Sequence, residues 1–237
     1  MSLLVRTIKK IAGFVERKWA RTNEKRYIDY LRRKKVKIGD NCMIPFPSTV
    51  DIDLCRPCLV EIGDYVRINK NFFLRVHDGG FFVLRHKFKE LISASGKVTI
   101  GNNVYFGFDC KVFKGVTVGD NCIIGANSVI SKSIPANSVA VGSPARVVCT
   151  VDEYYQKRKA VYVQEAFAYC HAIVERYGRR PVLADFKSEF PLFLKAHEEP
   201  TDLPVRAQMA EVYDHYKEHH VPLFESFDDF LKAAGID

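Results

Sequence analysis

The chain has 237 residues, of which 47% are hydrophobic and 27% charged, and its formal net charge is +8. This composition fits a soluble globular protein of one or two domains and excludes a membrane-spanning chain, because no apolar run approaches the roughly 18 residues that a bilayer requires. No secretory signal is recognisable and the seven cysteines are scattered, so we expect a protein of the reducing cytoplasm.

The positive charge is concentrated at the front of the chain, where residues 1–37 contain thirteen Lys and Arg against three acidic residues. Residues 1–35 predict a basic amphipathic helix, because apolar residues at steps of three and four share one face: Leu4, Ile8, Ile11, Val15 and Trp19. Two interpretations stay open: a cap on the open end of a coil, or an interfacial helix in peripheral contact with an anionic inner membrane. Nucleic acid is not expected as a partner, since no reading motif accompanies the charge.

Apolar residues then recur every six positions, with one misfit at Arg56. The repeat comprises Ile38, Ile44, Val50, Ile62, Ile68 and Leu74, and later Ile100, Phe106, Val112, Val118, Ile124 and Ile130. Neither the period of about 3.6 of an α-helix nor the period of about 2 of a strand maintains this pattern. A coil with three short flat sides does, with glycine and asparagine at its corners. We therefore predict a repeat architecture.

The repeat is interrupted between Leu74 and Ile100, which lie 26 residues apart. We assign the interruption to a loop insertion at residues 79–97, which lacks the pattern and carries Arg85, His86, Lys87 and Lys89. A loop that breaks the phase of a solenoid often lies on its binding face.

The six-residue pattern ends at Pro144, and the sequence after it has a different pattern. Residues 149–237 predict an α-helical extension. Its first helix covers residues 151–177, with Gly178 as the stop signal, and further helices are expected at residues 203–220 and 224–234.

Two groups have spacings that metal sites use. His215, His219 and His220 fall at helical spacing, and Cys55 and Cys58 form a single C-x-x-C. Surface histidines on helices are common, and the cysteine pair lacks two further ligands nearby. We predict no metal.

Two stretches of the second repeat block carry a family resemblance. Residues 118–132 read VGDNCIIGANSVISK, and residues 134–146 read IPANSVAVGSPAR. They resemble the closing coils of the hexapeptide-repeat acyltransferases, within which the chain is similar to maltose and galactoside O-acetyltransferases. The run His77-Asp78-Gly79-Gly80 resembles the branch that contains capsule and lipopolysaccharide O-acetyltransferases.

The resemblance covers residues 36–148 and implies a mainly β fold. This fold is a left-handed parallel β-helix, preceded by the helical segment 1–35 and followed by the helical extension 149–237. It also implies a homotrimer with acetyl-CoA bound in a cleft between neighbouring coils, and transfer of the acetyl group to a sugar hydroxyl in surface-polysaccharide biosynthesis.

Site residues follow from the same resemblance. His77 matches the family's catalytic base. The positions that match the coenzyme path are Phe108, Ala126, Ser131, Lys132 and Arg146. Candidate contacts for the acceptor sugar are Asp53, Asp78 and His86, and Asp78 is also a candidate for orienting the His77 ring.

The chemistry required agrees with this assignment. A sugar hydroxyl is a poor nucleophile near neutral pH, so attack on a thioester needs a general base. The oxyanion that forms needs a fixed N–H donor, whereas a thiolate leaves without a strong acid, which favours direct transfer without an acyl-enzyme. Lys132 and Arg146 suit the phosphates of the coenzyme.

Three alternatives remain open at this point. N-acetylation of an amino sugar needs the same base. A metal hydrase of the carbonic-anhydrase type needs three converging histidines, whereas the coil region offers His77 and His86. A non-enzymatic β-helix scaffold predicts no coenzyme binding.

Overall fold

The structure, a computed structural model, describes residues 3–236. The chain forms two compact units, Met1–Tyr155 and Gln156–Asp237. The side chains of Leu4 and Lys9, which belong to the predicted amphipathic face and its surroundings, lie outside the described residues. None of the helices in the described part is long and apolar enough to cross a membrane.

The first unit begins with two helices, α1 (Leu3–Ala20) and α2 (Glu24–Arg33). The prediction of one continuous helix over residues 1–35 is therefore wrong. The break has a local cause, because the Asn23 side chain accepts a hydrogen bond of 3.2 Å from the Arg26 N–H and starts a second helix.

The two helices use their apolar residues differently. Helix α2 buries Tyr27, Ile28, Tyr30 and Leu31 in the same core cluster as the strands that follow. Helix α1 leaves its apolar side chains between 52% and 61% exposed: Ile8, Ile11, Phe14, Val15 and Trp19. The capping role that the sequence offered for this whole segment thus applies to α2.

Short strands follow, separated by tight corners. In chain order they are β1 (Lys37–Ile38), β2 (Asp51–Ile52), β3 (Val60–Ile62), β4 (Arg67–Ile68), β5 (Phe73–Leu74), β6 (His77–Asp78), β7 (Ala94–Ser95), β8 (Val98–Ile100), β9 (Val104–Phe106), β10 (Lys111–Val112), β11 (Thr117–Val118), β12 (Cys122–Ile124), β13 (Val129–Ile130), β14 (Ser138–Val141) and β15 (Arg146–Thr150).

The strands alternate among three sheets. The first sheet has the order β1-β3-β8-β11, the second β2-β5-β10-β13, and the third β4-β9-β12-β14-β15. Every pair is parallel except β14 with β15. Isolated parallel bridges from Met43 to Arg67 and from Val118 to Ile134 add one rung each. From β1 to β14, with the two bridges counted and the β6–β7 hairpin set aside, the chain thus visits the three sheets in rotation, as the six-residue repeat predicts.

The repeat residues point into the core. All twelve are between 0% and 7% exposed and belong to one cluster that draws on all three sheets: Ile38, Ile44, Val50, Ile62, Ile68, Leu74, Ile100, Phe106, Val112, Val118, Ile124 and Ile130. Burying an aliphatic side chain contributes roughly 1.5–3 kcal/mol, so this row is the main source of stability in the unit. One turn differs, because a 3-10 turn at Pro57–Leu59 follows Arg56.

The corners confirm the expected turn chemistry. Asn103, Asn121 and Asn137 lie on successive coils with φ of 53°, 54° and 57°, a left-handed conformation that asparagine tolerates. Their side chains form a ladder, with bonds of 2.8 Å from Asn103 to Asn121 and 3.1 Å from Asn121 to Asn137. At Gly107 a Cβ atom would lie 2.6 Å from the Ala126 nitrogen, so the next coil permits glycine alone there.

The insertion is more ordered than the loop that the sequence predicts for residues 79–97. It contains α3 (Phe81–Phe88). The helix ends before Lys89, whose φ of 61° is in the left-handed region. Strands β6 and β7 flank the helix as an antiparallel hairpin. The Gly96 N–H donates to the Val76 carbonyl at 2.9 Å, so the inserted segment leaves and rejoins the coil at one place.

The end of the chain is helical, as expected. Helix α4 (Val151–Tyr177) has the predicted bounds and stops before Gly178, whose φ is +60°. The predicted helix at residues 203–220 is divided into α5 (Val205–Met209) and α6 (Tyr213–His219) by a 3-10 turn. Helix α7 (Phe227–Ala233) is the last. An aromatic core holds the second unit together: Phe186, Phe190, Phe193 and Phe230.

Candidate active site

A cavity of about 480 Å³ lies in the first unit beside the ends of β2 and β5. Its floor comes from strand β2 and the residues after it, and its walls come from α1, α2 and the residues after β5. The lining residues are Arg17, Arg21, Tyr27, Tyr30, Asp51, Ile52, Asp53, Leu54, Cys55, Arg75 and His77.

His77 and Asp53 form the centre of this cavity. The His77 ring bonds through Nδ1 to the Asp53 carboxylate. Asp53 is 4% exposed and its two oxygens also accept backbone N–H groups, from Cys55 at 2.9 Å and from Val76 at 3.1 Å. A carboxylate bonded in this way is fixed in position, and it fixes the imidazole in turn.

The electrostatics favour an ionised Asp53. Burial raises the pKa of Asp53, but the N–H groups of Cys55 and Val76 and the His77 ring together outweigh burial, so its pKa lies below the ordinary value. Since an ionised carboxylate only accepts hydrogen bonds, the Nδ1 of His77 carries the proton. The Nε2 of His77 then has a free lone pair, on a side chain that is 34% exposed.

This arrangement has the geometry that a general base requires. Nε2 can take a proton from a hydroxyl in the cavity, and a carboxylate at Nδ1 can stabilise the imidazolium that results. The sequence suggested Asp53 as an acceptor contact, and in the structure its carboxylate bonds the imidazole, where it can hold the ring in position.

Asp78 occupies a different place from the one proposed for it. Its carboxylate accepts the Gly80 N–H at 2.9 Å and pairs with Lys114 at 3.0 Å. These two contacts hold the pKa of Asp78 below its ordinary value. Asp78 does not bond the His77 ring as the sequence suggested, because adjacent residues of a strand point to opposite faces; the carboxylate that bonds the ring is that of Asp53.

His86 lies on α3, in the inserted segment. Its ring packs on Phe82 with the ring centroids 5.0 Å apart. His86 and Asp78 are both outside the set of residues that lines the cavity.

The five predicted coenzyme positions lie on the later coils. Phe108 is 45% exposed, and its carbonyl accepts the Asn127 N–H at 2.8 Å, so Phe108 and Ala126 lie at stacked corners. Ser131 and Lys132 are exposed after β13. Arg146 is exposed at the start of β15, opposite Val141 of β14. None of the five is among the residues that line the His77 cavity.

One group in the described part of the chain has metal-ligand spacing. The ligand atoms of Asp53, Cys55 and His77 lie within 4.8 Å of one another. The group contains one histidine, which does not match the three-histidine set of a zinc hydrase. Its carboxylate oxygens are also already engaged by His77, Cys55 and Val76.

Sequence reasoning missed the cationic wall of the cavity. In the sequence, Arg17 and Arg21 count only toward the basic character of the first segment, although their spacing of four residues places Arg21, directly after α1, beside Arg17 on the last turn of that helix. Arg75 and Asp51 project into the cavity from the second sheet. Their common location depends on how α1 crosses the coil, which no local pattern encodes.

Comparisons with known proteins bear on the coil region. Residues 97–132 match the model of a family described as the hexapeptide repeat of succinyl-transferase. The chain is 34% identical to Protein CapG of Staphylococcus aureus over 131 residues, which is 54% of this chain and 74% of CapG. It is 38% identical to galactoside O-acetyltransferase of Escherichia coli K12 over 126 residues, or 52% of this chain and 59% of that enzyme.

A solved structure of galactoside acetyltransferase in complex with coenzyme A is also similar. It has a TM-score of 0.44 and 26% identity, and the match covers 61% of this chain and 82% of the other. The match to the Escherichia coli enzyme spans less than two thirds of that enzyme's length.

Proposed function

The chain belongs to the hexapeptide-repeat acetyltransferase family, and from that membership we propose that it transfers an acetyl group from acetyl-CoA to a hydroxyl of a sugar. His77 is the general base, and the sugar belongs to a surface polysaccharide or its precursor. The observation that carries the proposal is the hydrogen bond between His77 Nδ1 and the buried Asp53 inside a cavity. The name of the Escherichia coli relative supports the choice of a hydroxyl as the acceptor group.

The reaction needs one proton carrier. His77 Nε2 removes the proton of the sugar hydroxyl as its oxygen attacks the thioester carbonyl carbon. The tetrahedral oxyanion then collapses, the C–S bond breaks and the CoA thiolate leaves. The imidazolium returns its proton to the sulfur, so the enzyme ends unchanged and no acyl-enzyme forms. Asp53 stabilises the imidazolium between these steps.

The coenzyme lies along the later coils in this proposal. Phe108 and Ala126 line the pantetheine path, and Ser131 and Lys132 the nucleotide path. Arg146 binds a phosphate through its forked guanidinium. Asp78 and His86 contact the acceptor from the β6–β7 hairpin and α3. The coil is a left-handed parallel β-helix, as in the family it belongs to.

The assay follows free thiol in a mixture of protein, acetyl-CoA and a panel of sugars, sugar phosphates and nucleotide sugars. Thiol release that depends on an acceptor supports acetyl transfer, and NMR of the product distinguishes an ester from an amide. Release at the same rate without any acceptor, or no release with every acceptor, would contradict the proposal.

We expect a homotrimer, since the coenzyme positions lie on a different part of the coil surface from the His77 cavity and a neighbouring subunit joins the two. Sedimentation equilibrium is expected to give three times the 27.1 kDa of one chain. A mass of 27.1 kDa at working concentration would rule out a site shared between subunits.

The exposed face of α1 supports peripheral contact with an anionic membrane, on the cytoplasmic side. Five apolar side chains more than half exposed lie beside Lys10, Arg17 and Lys18, a pattern typical of interfacial helices. Trp19 is the single tryptophan and is 52% exposed, so it reports the contact directly.

Tryptophan emission is expected to shift to shorter wavelength with vesicles that contain phosphatidylglycerol, and not with phosphatidylcholine alone. Salt weakens the effect, because it screens the lysines and arginines. Ile11→Asp is expected to abolish the shift, while Val148→Asp, an equally exposed valine on β15, keeps it. Equal shifts with both lipids and both variants would contradict the anionic interface.

A further inference from the structure

The wall of the His77 cavity carries unbalanced positive charge. Three guanidinium groups face the single carboxylate of Asp51. Arg75 Nη2 lies 2.5 Å from Asp51 Oδ2, whereas Arg17 Nη2 and Arg21 Nη2 lie 3.7 Å and 3.8 Å from Asp51 Oδ1. Asp53, the other carboxylate in the cavity, is already engaged by His77 and two backbone N–H groups. Two positive charges are therefore left over on this wall, and the three arginines against the carboxylates of Asp51 and Asp53 leave a net charge of +1 among the lining residues, His77 not counted.

Two of these guanidinium groups also have donors to spare. The contacts of Arg17 and Arg21 with Asp51 are longer than a hydrogen bond of about 2.7–3.2 Å. The Nε of Arg21 has no hydrogen-bond partner among the described residues, but it is buried, so Arg21 can reach a ligand only through its terminal nitrogens, on a side chain that is 19% exposed. Arg17 is 49% exposed, and the described residues offer its guanidinium no closer partner than Asp51. The wall thus presents charge and donors together.

We propose that this wall, Arg17 with Arg21 and Arg75, is a phosphate-binding subsite for the acceptor, so that the sugar acetylated at His77 carries a phosphate or diphosphate. The inference rests on the proposed function and names its substrate class. A phosphate offers several acceptor oxygens to forked guanidinium donors, which an uncharged sugar does not.

The number of acceptor oxygens distinguishes the acidic groups that sugars carry. A carboxylate offers two oxygens, which suit one forked guanidinium, whereas a phosphate monoester or a diphosphate offers enough oxygens for Arg17 and Arg21 together and carries about two negative charges. Because Arg17, Arg21 and His77 line one cavity, a phosphate on the wall holds the attached sugar beside the base.

Two kinds of molecule present a diphosphate attached to a sugar: a nucleoside diphosphate sugar and a lipid-diphosphate sugar. Helix α1, which carries Arg17 and ends one residue before Arg21, also has the exposed apolar face proposed to contact the membrane. The two sources are separated by the test below, in which one acceptor is free in solution and the other is in a vesicle.

The first experiment measures binding and needs no turnover. Inorganic pyrophosphate is titrated calorimetrically into the full-length protein with the coenzyme site saturated by CoA. Wild type is expected to bind pyrophosphate, and Arg17→Gln is expected to bind it about 10- to 100-fold more weakly, the loss of one or two hydrogen bonds to a charged group. Lys18→Gln is the matched control, because it removes the same charge from the next, exposed residue outside the cavity.

Equal affinities in wild type, Arg17→Gln and Lys18→Gln would overturn the subsite, as would a failure of wild type to bind. Arg17 is the residue to change because Arg21, which also bonds the Val50 carbonyl at 2.8 Å, is more deeply buried. His77→Gln is expected to keep pyrophosphate binding. Acetylation could therefore fail with every sugar while the phosphate subsite is confirmed, so the two proposals fail separately.

The second experiment uses turnover. A hexose, its 1-phosphate, its nucleoside diphosphate form and its polyprenyl diphosphate form in vesicles are compared by kcat/KM. The phosphorylated forms are expected to exceed the free hexose by about 10-fold or more, and Arg17→Gln is expected to remove that preference. A free hexose as good as its phosphates in wild type would overturn the proposal. The better of the two diphosphate forms identifies the source.

Discussion

Replacing His77 by glutamine is expected to lower kcat for acetyl transfer by about 10²- to 10⁴-fold, the usual contribution of a general base. The variant keeps a side chain that can donate to Asp53, so the carboxylate is not left unpaired. The KM for acetyl-CoA should change little, because the predicted coenzyme positions lie outside the His77 cavity. The measurement is acceptor-dependent thiol release, with the variant at saturating substrates.

The control for this variant is its stability. His77 is 34% exposed at its side chain, so glutamine is expected to cost less than about 1 kcal/mol in the free energy of unfolding. Wild-type turnover in a folded His77→Gln protein would remove His77 from the mechanism. The replacement Glu90→Gln, in the exposed inserted segment, should leave turnover unchanged.

Asp53→Asn is expected to reduce kcat by a similar factor, although Asp53 does not touch the substrate. An amide nitrogen directed at His77 Nδ1 is a donor, so the ring must move its proton to Nε2 and lose the lone pair that accepts the hydroxyl proton. Nitrogen NMR of His77 checks this reason, because it distinguishes the two tautomers. A protein with the proton still on Nδ1 and full activity would contradict the role of Asp53.

The pH dependence of the unfolding free energy provides a second test of Asp53→Asn. The pKa of Asp53 in the folded protein lies below its ordinary value of 3.8. Its ionised form therefore stabilises the folded state fully above about pH 4, and this contribution is lost as the pH falls through the lowered pKa. The difference in unfolding free energy between wild type and variant should shrink over that acid range. A difference that is constant from pH 7 to pH 2 would show that the charge of Asp53 is not involved.

Combining the two replacements tests whether the residues act as one unit. If Asp53 acts only through His77, the double variant should be as slow as His77→Gln alone, and not slower by the product of the two factors. Independent, multiplying effects would assign Asp53 a separate function, such as contact with the acceptor.

The coil could be predicted from the sequence because its information is local and repeated. Each aliphatic residue from Ile38 to Ile130 in the six-residue row needs only its own coil and the next to be buried, and asparagine marks the corners at Asn103 and Asn121. The break between α1 and α2 was missed, although Asn23 is a suitable N-cap. A single capping bond is a weak signal inside a long amphipathic pattern.

The site was only partly predictable, for a physical reason. His77 was selected from its motif, but its partner Asp53 is 24 residues away. In a coil of this kind that interval is more than one complete turn, so Asp53 lies one rung below His77, on the same side. Asp78 was considered for the role as the neighbour of His77 in sequence, whereas the register of Asp53 is obscured by the irregular turn at Arg56 and Pro57–Leu59.

The β6–β7 hairpin gives the enzyme a site where its sequence can vary without cost to the rest of the molecule. The chain departs after Val76 and returns at Gly96, whose backbones are joined by one hydrogen bond. Lengthening a flexible loop twofold costs only about 0.6 kcal/mol, so segments of other lengths can be grafted between Asp78 and Ala94, the inner pair of the hairpin, while His77 and the rungs above and below stay in register. If the hairpin contacts the acceptor as proposed, acceptor preference can change in this way beside an unaltered His77.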